Sequence, residues 1–212
     1  VSARVVYLGG RQYVQALWRD ITERKRLEEK LQALTLVDEL TGLYNRRGFV
    51  TLAEQQVKVA ARSRRDLYLL FADLDNLKWT NDRHGHRAGD ALLRDTARLF
   101  KATFRESDII GRIGGDEFVV LMAETGNATP EQLTTRLRAG IEKRNRRAEG
   151  APLSLSVGVA RQAGDAPGTL DALMRRADAL MYEEKRRKRA EARAGNGHAP
   201  DAPPPPGPAA GD

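Results

Sequence analysis

Residues 67–74 read Leu-Tyr-Leu-Leu-Phe-Ala-Asp-Leu, a nearly continuous apolar run of strand length with acid at its end. Such a run fits a central strand covered on both faces, because a strand with one wet face alternates instead. Asp73 and Asp75 then stand at the C-terminal end of the most buried strand in the chain. Carboxylates there repel each other and resist desolvation, so they need a cation or a cationic side chain. Around this strand, residues 36–189 alternate helix and strand signals. Asn45 caps a helix with Phe49, Leu52, Val57 and Ala60 on its apolar face, and a second helix turns Leu92, Leu93, Ala97, Phe100 and Phe104 inward. Thr129-Pro130-Glu131-Gln132 is a capping box with proline at the first helical position, opening a helix through Leu133, Leu137 and Ile141. Ile109–Ile113 and Phe118–Met122 form a hairpin around Gly114-Gly115, residues 153–159 alternate as a strand, and Leu170, Leu173, Ala177 and Leu180 mark a last helix. The pattern predicts an α/β fold, a mixed central β-sheet flanked by helices.

The flanks read differently. Val5–Leu8 and Gln12–Trp18 enclose Gly9-Gly10, which predicts a hairpin. A lone hairpin is marginal in water, so it is expected to close a larger sheet that lies upstream. Thr22 to Leu36 is a charged helix with Leu27, Leu31 and Leu34 at heptad-like spacing, the pattern of a coiled coil. Past Arg193 the sequence turns to Ala, Gly and Pro, including Pro203–Pro206, and cannot bury a core. The expected organisation is a hairpin fragment over 1–21, a coiled-coil signalling helix over 22–35, a globular domain over 36–189 and a disordered tail over 190–212.

Cysteine is absent, which removes disulfides, thiolate metal sites and thiol nucleophiles. No apolar run approaches the ~20 residues of a membrane-spanning helix, and no signal peptide opens the sequence. The expectation is a cytoplasmic protein with no membrane segment in this chain, attachment through an upstream region being left open. Lys and Arg number 36 against 29 Asp and Glu, a net charge of +7, with much of the excess in Lys185–Arg189. That run reads either as a solvated helix end or as attraction for polyphosphate. No zinc-ligand set or aromatic-rich strand pair points to nucleic acid, and none is expected as a partner.

A second acidic pair, Asp116-Glu117, falls at the tip of the predicted hairpin. If that hairpin lies beside the central strand, Asp73, Asp116 and Glu117 converge. Hard oxygen donors suit Mg2+ or Mn2+, especially alongside substrate phosphates. The plainer alternative is a loop-end salt bridge to Arg112 or Lys78, but two clusters together favour metal. Gly114-Gly115 would let backbone approach a phosphate, or would simply make the turn. Between the clusters, Lys78, Asn81, His86, Gly89 and Asp90 fall in a loop leading into a helix. An amide and a carboxylate complement the edge of guanine. Asp90 equally fits a helix N-cap or first-turn acid, and Lys78 either meets phosphate or is solvated. In Arg105-Glu106-Ser107-Asp108, Arg105 can grip a phosphate or guanine's Hoogsteen edge, and Asp108 can accept from its N1–H and amine. The alternative there is an exposed salt bridge contributing about 0 to 1 kcal/mol.

Five ordered motifs carry a resemblance to a known family. Asp38-Glu39-Leu40-Thr41-Gly42-Leu43-Tyr44-Asn45-Arg46-Arg47 resembles the opening segment of the GGDEF diguanylate cyclases. Asp73-Leu74-Asp75-Asn76-Leu77-Lys78 with Asn81-Asp82, then Gly85-His86 and Gly89-Asp90, resembles the segment that follows. Gly114-Gly115-Asp116-Glu117-Phe118, after Gly111-Arg112-Ile113, matches the naming motif, and Ala177–Tyr182 with Lys185 matches the closing helix. Arg19–Lys25 resembles the exit of a PAS sensor domain.

The resemblance implies a nucleotidyl-cyclase or palm-like fold and a reaction joining two GTP into cyclic di-GMP and pyrophosphate at a dimer interface. It implies two Mg2+ or Mn2+ per site, held by Asp73, the Leu74 carbonyl, Asp116 and Glu117. Catalysis would fall to Asp116, Glu117 and Lys78, and substrate binding to Asn81, His86, Asp90, Gly114, Gly115, Lys185 and Arg189. Arg105 and Asp108 match the family's inhibitory motif, so cyclic di-GMP would be feedback inhibitor as well as product. A homodimer clamped by the coiled coil is expected. The alternative is a catalytically silent receptor for GTP or cyclic di-GMP; a plain dimerisation scaffold would ignore both acidic clusters. Two positions depart from the family pattern: Leu77 replaces a usual Phe, and Lys188 replaces a common Gly before Arg189, where a helix would continue instead of turning.

Overall fold

The structure, a computed structural model, describes residues 2–9, 11–17, 35–123, 129–147, 150–166 and 168–195. The chain divides into two units, Val1–Leu36 and Val37–Asp212. In the first, β1 (Ser2–Leu8) and β2 (Arg11–Leu17) form an antiparallel hairpin in which Leu8 faces Arg11. Gly9 takes φ 58° at the turn, a conformation that glycine adopts without a Cβ penalty. Residues 18–34, where the heptad leucines fall, lie outside the described residues.

The second unit runs α1 (Arg46–Ser63), β3 (Leu67–Leu74), α2 (Leu77–His84), α3 (His86–Thr103), β4 (Ile109–Arg112), β5 (Glu117–Ala123), α4 (Pro130–Arg147), β6 (Leu155–Gln162) and α5 (Leu170–Gly195). Its four-stranded sheet has the order β4-β5-β3-β6, and every ladder is antiparallel. The α/β architecture is as expected; the sheet is antiparallel where a mixed one was expected. Each helical crossover does join two strands of the same direction, but it skips one position. The hairpin's second strand, β5, fills the gap between β3 and β4, and β3 itself fills the gap between β5 and β6, a split βαβ pattern. Among the described residues, parallel pairing is confined to a single bridge, Tyr44 to Gly111.

The caps are local and legible. Asn45 accepts from the Gly48 amide at 2.9 Å at the start of α1. Thr129 and Gln132 bond reciprocally, each side chain accepting from the other's amide at 3.3 and 3.2 Å, a closed capping box.

Strand parity decides what faces what. Leu70, Ala72 and Leu74 of β3 pack with Leu93, Ala97 and Phe100 of α3 and Leu137 of α4. Leu67, Leu69 and Phe71 pack with Phe49 and Ala53 of α1 and Leu173, Ala177 and Met181 of α5. Phe100 stacks edge-on against Phe118 and Phe104 at 5.5 and 5.6 Å, the first two rings fully buried. Each such ring contributes about 1.5–3 kcal/mol by leaving water. Odd-numbered Asp73 therefore belongs to the α1/α5 face. On that face α5 lies unusually close to β6: a Cβ on Gly158 would sit 2.1 Å from the Ala177 carbonyl oxygen.

Two boundaries differ from expectation. The segment after β3 is the short helix α2, not a loop; its polar sequence has no apolar period to announce it. α5 continues through Gly195, past the expected boundary at Arg189. Residues 183–194 contain neither Gly nor Pro and are rich in Glu, Lys, Arg and Ala, so nothing stops the helix earlier. Residues 196–212 lie outside the described residues. No helix among the described residues is long and apolar enough to cross a membrane.

Candidate active site

Asp73 and Glu117 are direct partners in the β3–β5 ladder. Cross-strand partners point to one face, so two carboxylates confront each other where the α1/α5 layer meets the strand end. The Leu74 amide donates to the Asp116 carbonyl at 2.8 Å, bringing the signature residues alongside β3. Asp73 is 6% exposed, and its carboxylate receives the Lys185 ammonium at 2.6 Å. Burial pushes the Asp73 carboxyl up; Lys185 opposes this, while Asp116 and Asp75 add to it, and the net direction is upward. Glu117 is also raised, by burial first and then by Asp116, Asp73 and Asp178, with Arg46 opposing. One lysine thus leaves this corner short of positive charge.

Asp75, two residues on, is fully compensated. Burial raises its carboxyl, but the hydroxyls of Ser154 and Ser156, each at 2.7 Å, and the Lys188 ammonium at 3.1 Å hold it below the ordinary value. Asp75 ties β3 to β6 and α5. Neither acid pairs with Arg112 or Lys78. Arg112 bonds Asp38 through one guanidinium nitrogen at 3.2 Å to each oxygen, and bonds the Gly115 carbonyl at 2.7 Å. Lys78 forms no ion pair among the described residues.

The donor set fits a divalent cation by its chemistry: hard oxygens, one buried, with uncompensated negative charge. Among the described residues no three carboxylates close into a ready cage. Mg2+ tolerates this, because it keeps several waters and shares its coordination with substrate phosphates. Asp116 and Glu117 are half-buried, and Gly115 alone is exposed at the tip, where both acids were expected. A Cβ on Gly114 would lie 2.3 Å from the Glu117 carboxylate, so that carboxylate folds back over the turn.

The other expected residues divide into two groups. Asn81 of α2 and Asp90 of α3 sit on helices that pack together, half-buried. Asp90 is the fifth residue of α3, whose first turn carries no acid, so it is neither N-cap nor first-turn acid. His86, the first residue of α3, is exposed, as is Arg189 on α5. Lys185, expected at phosphate, rests on Asp73. Arg105 and Asp108 make a backbone turn: the Arg105 amide donates to Asp108 at 2.8 Å, and no ion pair joins their side chains. The Arg105 side chain is exposed, and burial raises the Asp108 carboxyl.

Sequence reasoning assigned no role to Arg46, Asp178, Ser154, Ser156 or Lys188, all of which act on these acids. Arg46 and Asp178 lay inside recognised motifs. Their effect on Glu117 comes from α1 and α5 converging on one face, which spacing along the chain does not reveal.

Comparison with known proteins adds four findings. Residues 35–191 match the family of the diguanylate cyclase GGDEF domain. Diguanylate cyclase DgcM of Escherichia coli is 36% identical over 167 residues, covering 78% of this chain and 40% of that protein. Diguanylate cyclase DgcP of Pseudomonas aeruginosa is 40% identical over 162 residues, covering 76% of this chain and 24% of that protein. The chain therefore spans less than half the length of either relative. The structure of an N-terminally shortened mutant of TpbB, or YfiN, from Pseudomonas aeruginosa that comprises only the GGDEF domain superimposes with a TM-score of 0.64 at 34% identity, covering 71% of this chain and 89% of that one. The chain belongs to the diguanylate cyclase GGDEF domain family.

Proposed function

We propose that this domain condenses two GTP molecules into cyclic di-GMP and pyrophosphate. The observation that carries the reading is the confrontation of Asp73 with Glu117 at a strand end that Lys185 alone does not neutralise. In this reading Asp73, Asp116, Glu117 and the Leu74 carbonyl hold Mg2+ or Mn2+, two per site. The bound cations would neutralise phosphate charge and lower the pKa of the attacking 3′-hydroxyl. Glu117, the cross-strand partner of Asp73, either completes the metal's ligands or helps take the proton from the attacking hydroxyl. Asn81 and Asp90 read guanine, with His86 beside them. Lys78, Lys185 and Arg189 receive the phosphates, and Gly114-Gly115 keep the approach open.

Each domain offers one nucleotide site, so two must face each other about a twofold axis. The segment at 22–35 acts as a coiled-coil clamp that raises their local concentration, fed by a PAS-like hairpin at 1–21. Arg105 and Asp108 bind cyclic di-GMP as feedback inhibitor, and the setting is the bacterial cytoplasm.

The test is incubation of the purified chain with GTP and Mg2+, with the nucleotides resolved by chromatography. Cyclic di-GMP and pyrophosphate are expected in a 1:2 ratio. GTP binding without product would make the domain a receptor and overturn the proposal.

A further inference from the structure

The two lysine–aspartate pairs between α5 and the end of β3 look alike but differ in surroundings. Lys185 and Lys188 are three residues apart on the helix; Asp73 lies on β3, and Asp75, two residues on, in the turn just past its end. Lys185 has one partner, Asp73. Lys188 has three: Asp75 at 3.1 Å, the Leu155 carbonyl in a short hydrogen bond, and Glu184 at 3.8 Å. Glu184 in turn accepts from the Val157 amide at 3.0 Å and from Arg138 at 3.2 Å. Leu155 and Val157 belong to β6, an edge strand whose outer groups need partners. Lys188 and Glu184 thus cap that open edge and fasten α5 along it.

We propose that Lys188 is a positioning residue: it is the fixed anchor of α5, so that Lys185 can leave Asp73 for a nucleotide phosphate without the helix shifting. The proposal rests on reading the strand end as the GTP site. When cation and nucleotide arrive, Asp73 gains a new counter-ion and Lys185 a new anion. Asp75, saturated by Ser154, Ser156 and Lys188, has no reason to change partner. Without Lys188, the departure of Lys185 would remove the last cation joining α5 to the end of β3, and Lys185 would reach phosphate from an ill-defined position.

The test uses the full chain and calorimetric binding of a non-hydrolysable GTP analogue with Mg2+, beside steady-state kinetics and thermal melting. Lys188→Met is expected to weaken analogue binding and raise KM for GTP about tenfold, with kcat within about twofold, a loss of positioning and not of chemistry. Lys188→Arg, which keeps charge and reach, should recover binding to within about threefold of the parent. Asp75→Asn should weaken binding as Lys188→Met does, and the double variant should be no worse than either alone, because both remove one anchor. If Lys188→Met does not fold, Asp75→Asn carries the test. Binding within about twofold of the parent in Lys188→Met or Asp75→Asn, a fall in kcat with KM unchanged, Lys188→Arg no better than Lys188→Met, or multiplicative losses in the double variant would each overturn the proposal. A parent chain that binds no GTP analogue would instead overturn the site reading on which it rests.

Discussion

The side-chain amide of Asn81 fills the space beside Gly89: a Cβ at position 89 would lie 2.0 Å from Asn81 Oδ1 and 2.9 Å from its Cγ. Glycine inside a helix costs about 1 kcal/mol relative to alanine, and here the close crossing of α2 and α3 accounts for it. Gly89→Ala should push the Asn81 amide out of place, raise KM for GTP about tenfold and narrow the preference for GTP over ATP, as loss of a polar base contact does. Kinetics with both nucleotides check this; unchanged selectivity would place guanine recognition elsewhere.

Glu117→Gln should separate stability from activity. Like charges directly opposed on neighbouring strands are destabilising, by roughly 0.2–1 kcal/mol. The raised Glu117 carboxyl means that its ionisation is penalised in the folded state at neutral pH. The variant should therefore melt at or above the parent's temperature at pH 7. The gain should shrink as pH falls toward the unfolded carboxyl range, where the parent protonates too. Product formation should drop at least about 100-fold with the carboxylate gone. A clear loss of melting temperature at pH 7 would contradict the opposed-charge reading.

Asp38→Asn tests the contact between the start of the second unit and the signature turn. Burial pushes the Asp38 carboxyl up, but hydrogen bonds from the Thr41 hydroxyl and amide and the Arg112 charge bring it below the usual value. A depressed carboxyl contributes stability above its unfolded value of 3.8, and that stability is lost as pH falls through the folded one. Asp38→Asn should cost about 1–3 kcal/mol at pH 7, and parent and variant should converge in acid. Denaturant melts at pH 7 and pH 3 measure both; an equal gap at the two pH values would refute the assignment.

Arg105→Ala should relieve inhibition by cyclic di-GMP and leave KM for GTP unchanged. The Arg105 guanidinium is exposed and outside any ion pair with Asp108, so it can meet an anion without first breaking a bond. Product-inhibition kinetics decide it. Inhibition that persists in the variant, or that excess GTP overcomes completely, would remove the site.

Much of the fold was readable because the signals are local. The apolar run of β3 matches its observed span of Leu67–Leu74, and Asn45 and Thr129 cap the helices they were expected to cap. α2 was missed because Lys78, Asn81, Asp82 and Arg83 show no apolar face, and its helical turn depends on a left-handed Asn76, φ 62°. The sheet's antiparallel order was missed because a crossover that skips a position leaves no trace in the sequence of the strands it joins. In the site, the acids were visible as residue types, but the counter-ions were not. Asp73 could be seen to need a cation; that Lys185 meets it, and that Lys188 takes Asp75 instead, depends on how α5 lies across β6.

Lys185 and Asp73 are 112 positions apart, and Lys188 and Asp75 113. On the ribosome β3 emerges early, while the lysines that neutralise its end emerge near the close of the domain. At about 5–20 residues per second, the strand end waits on the order of 6–22 s for them. β5 and β6, its two neighbours in the sheet, are also translated after it. Until they emerge, burying the strand end would take its carboxylates out of water without the lysines that meet them in the folded domain, and that burial would cost free energy. A ribosome stalled before α5 should hold a domain that binds no nucleotide and is readily cut by protease.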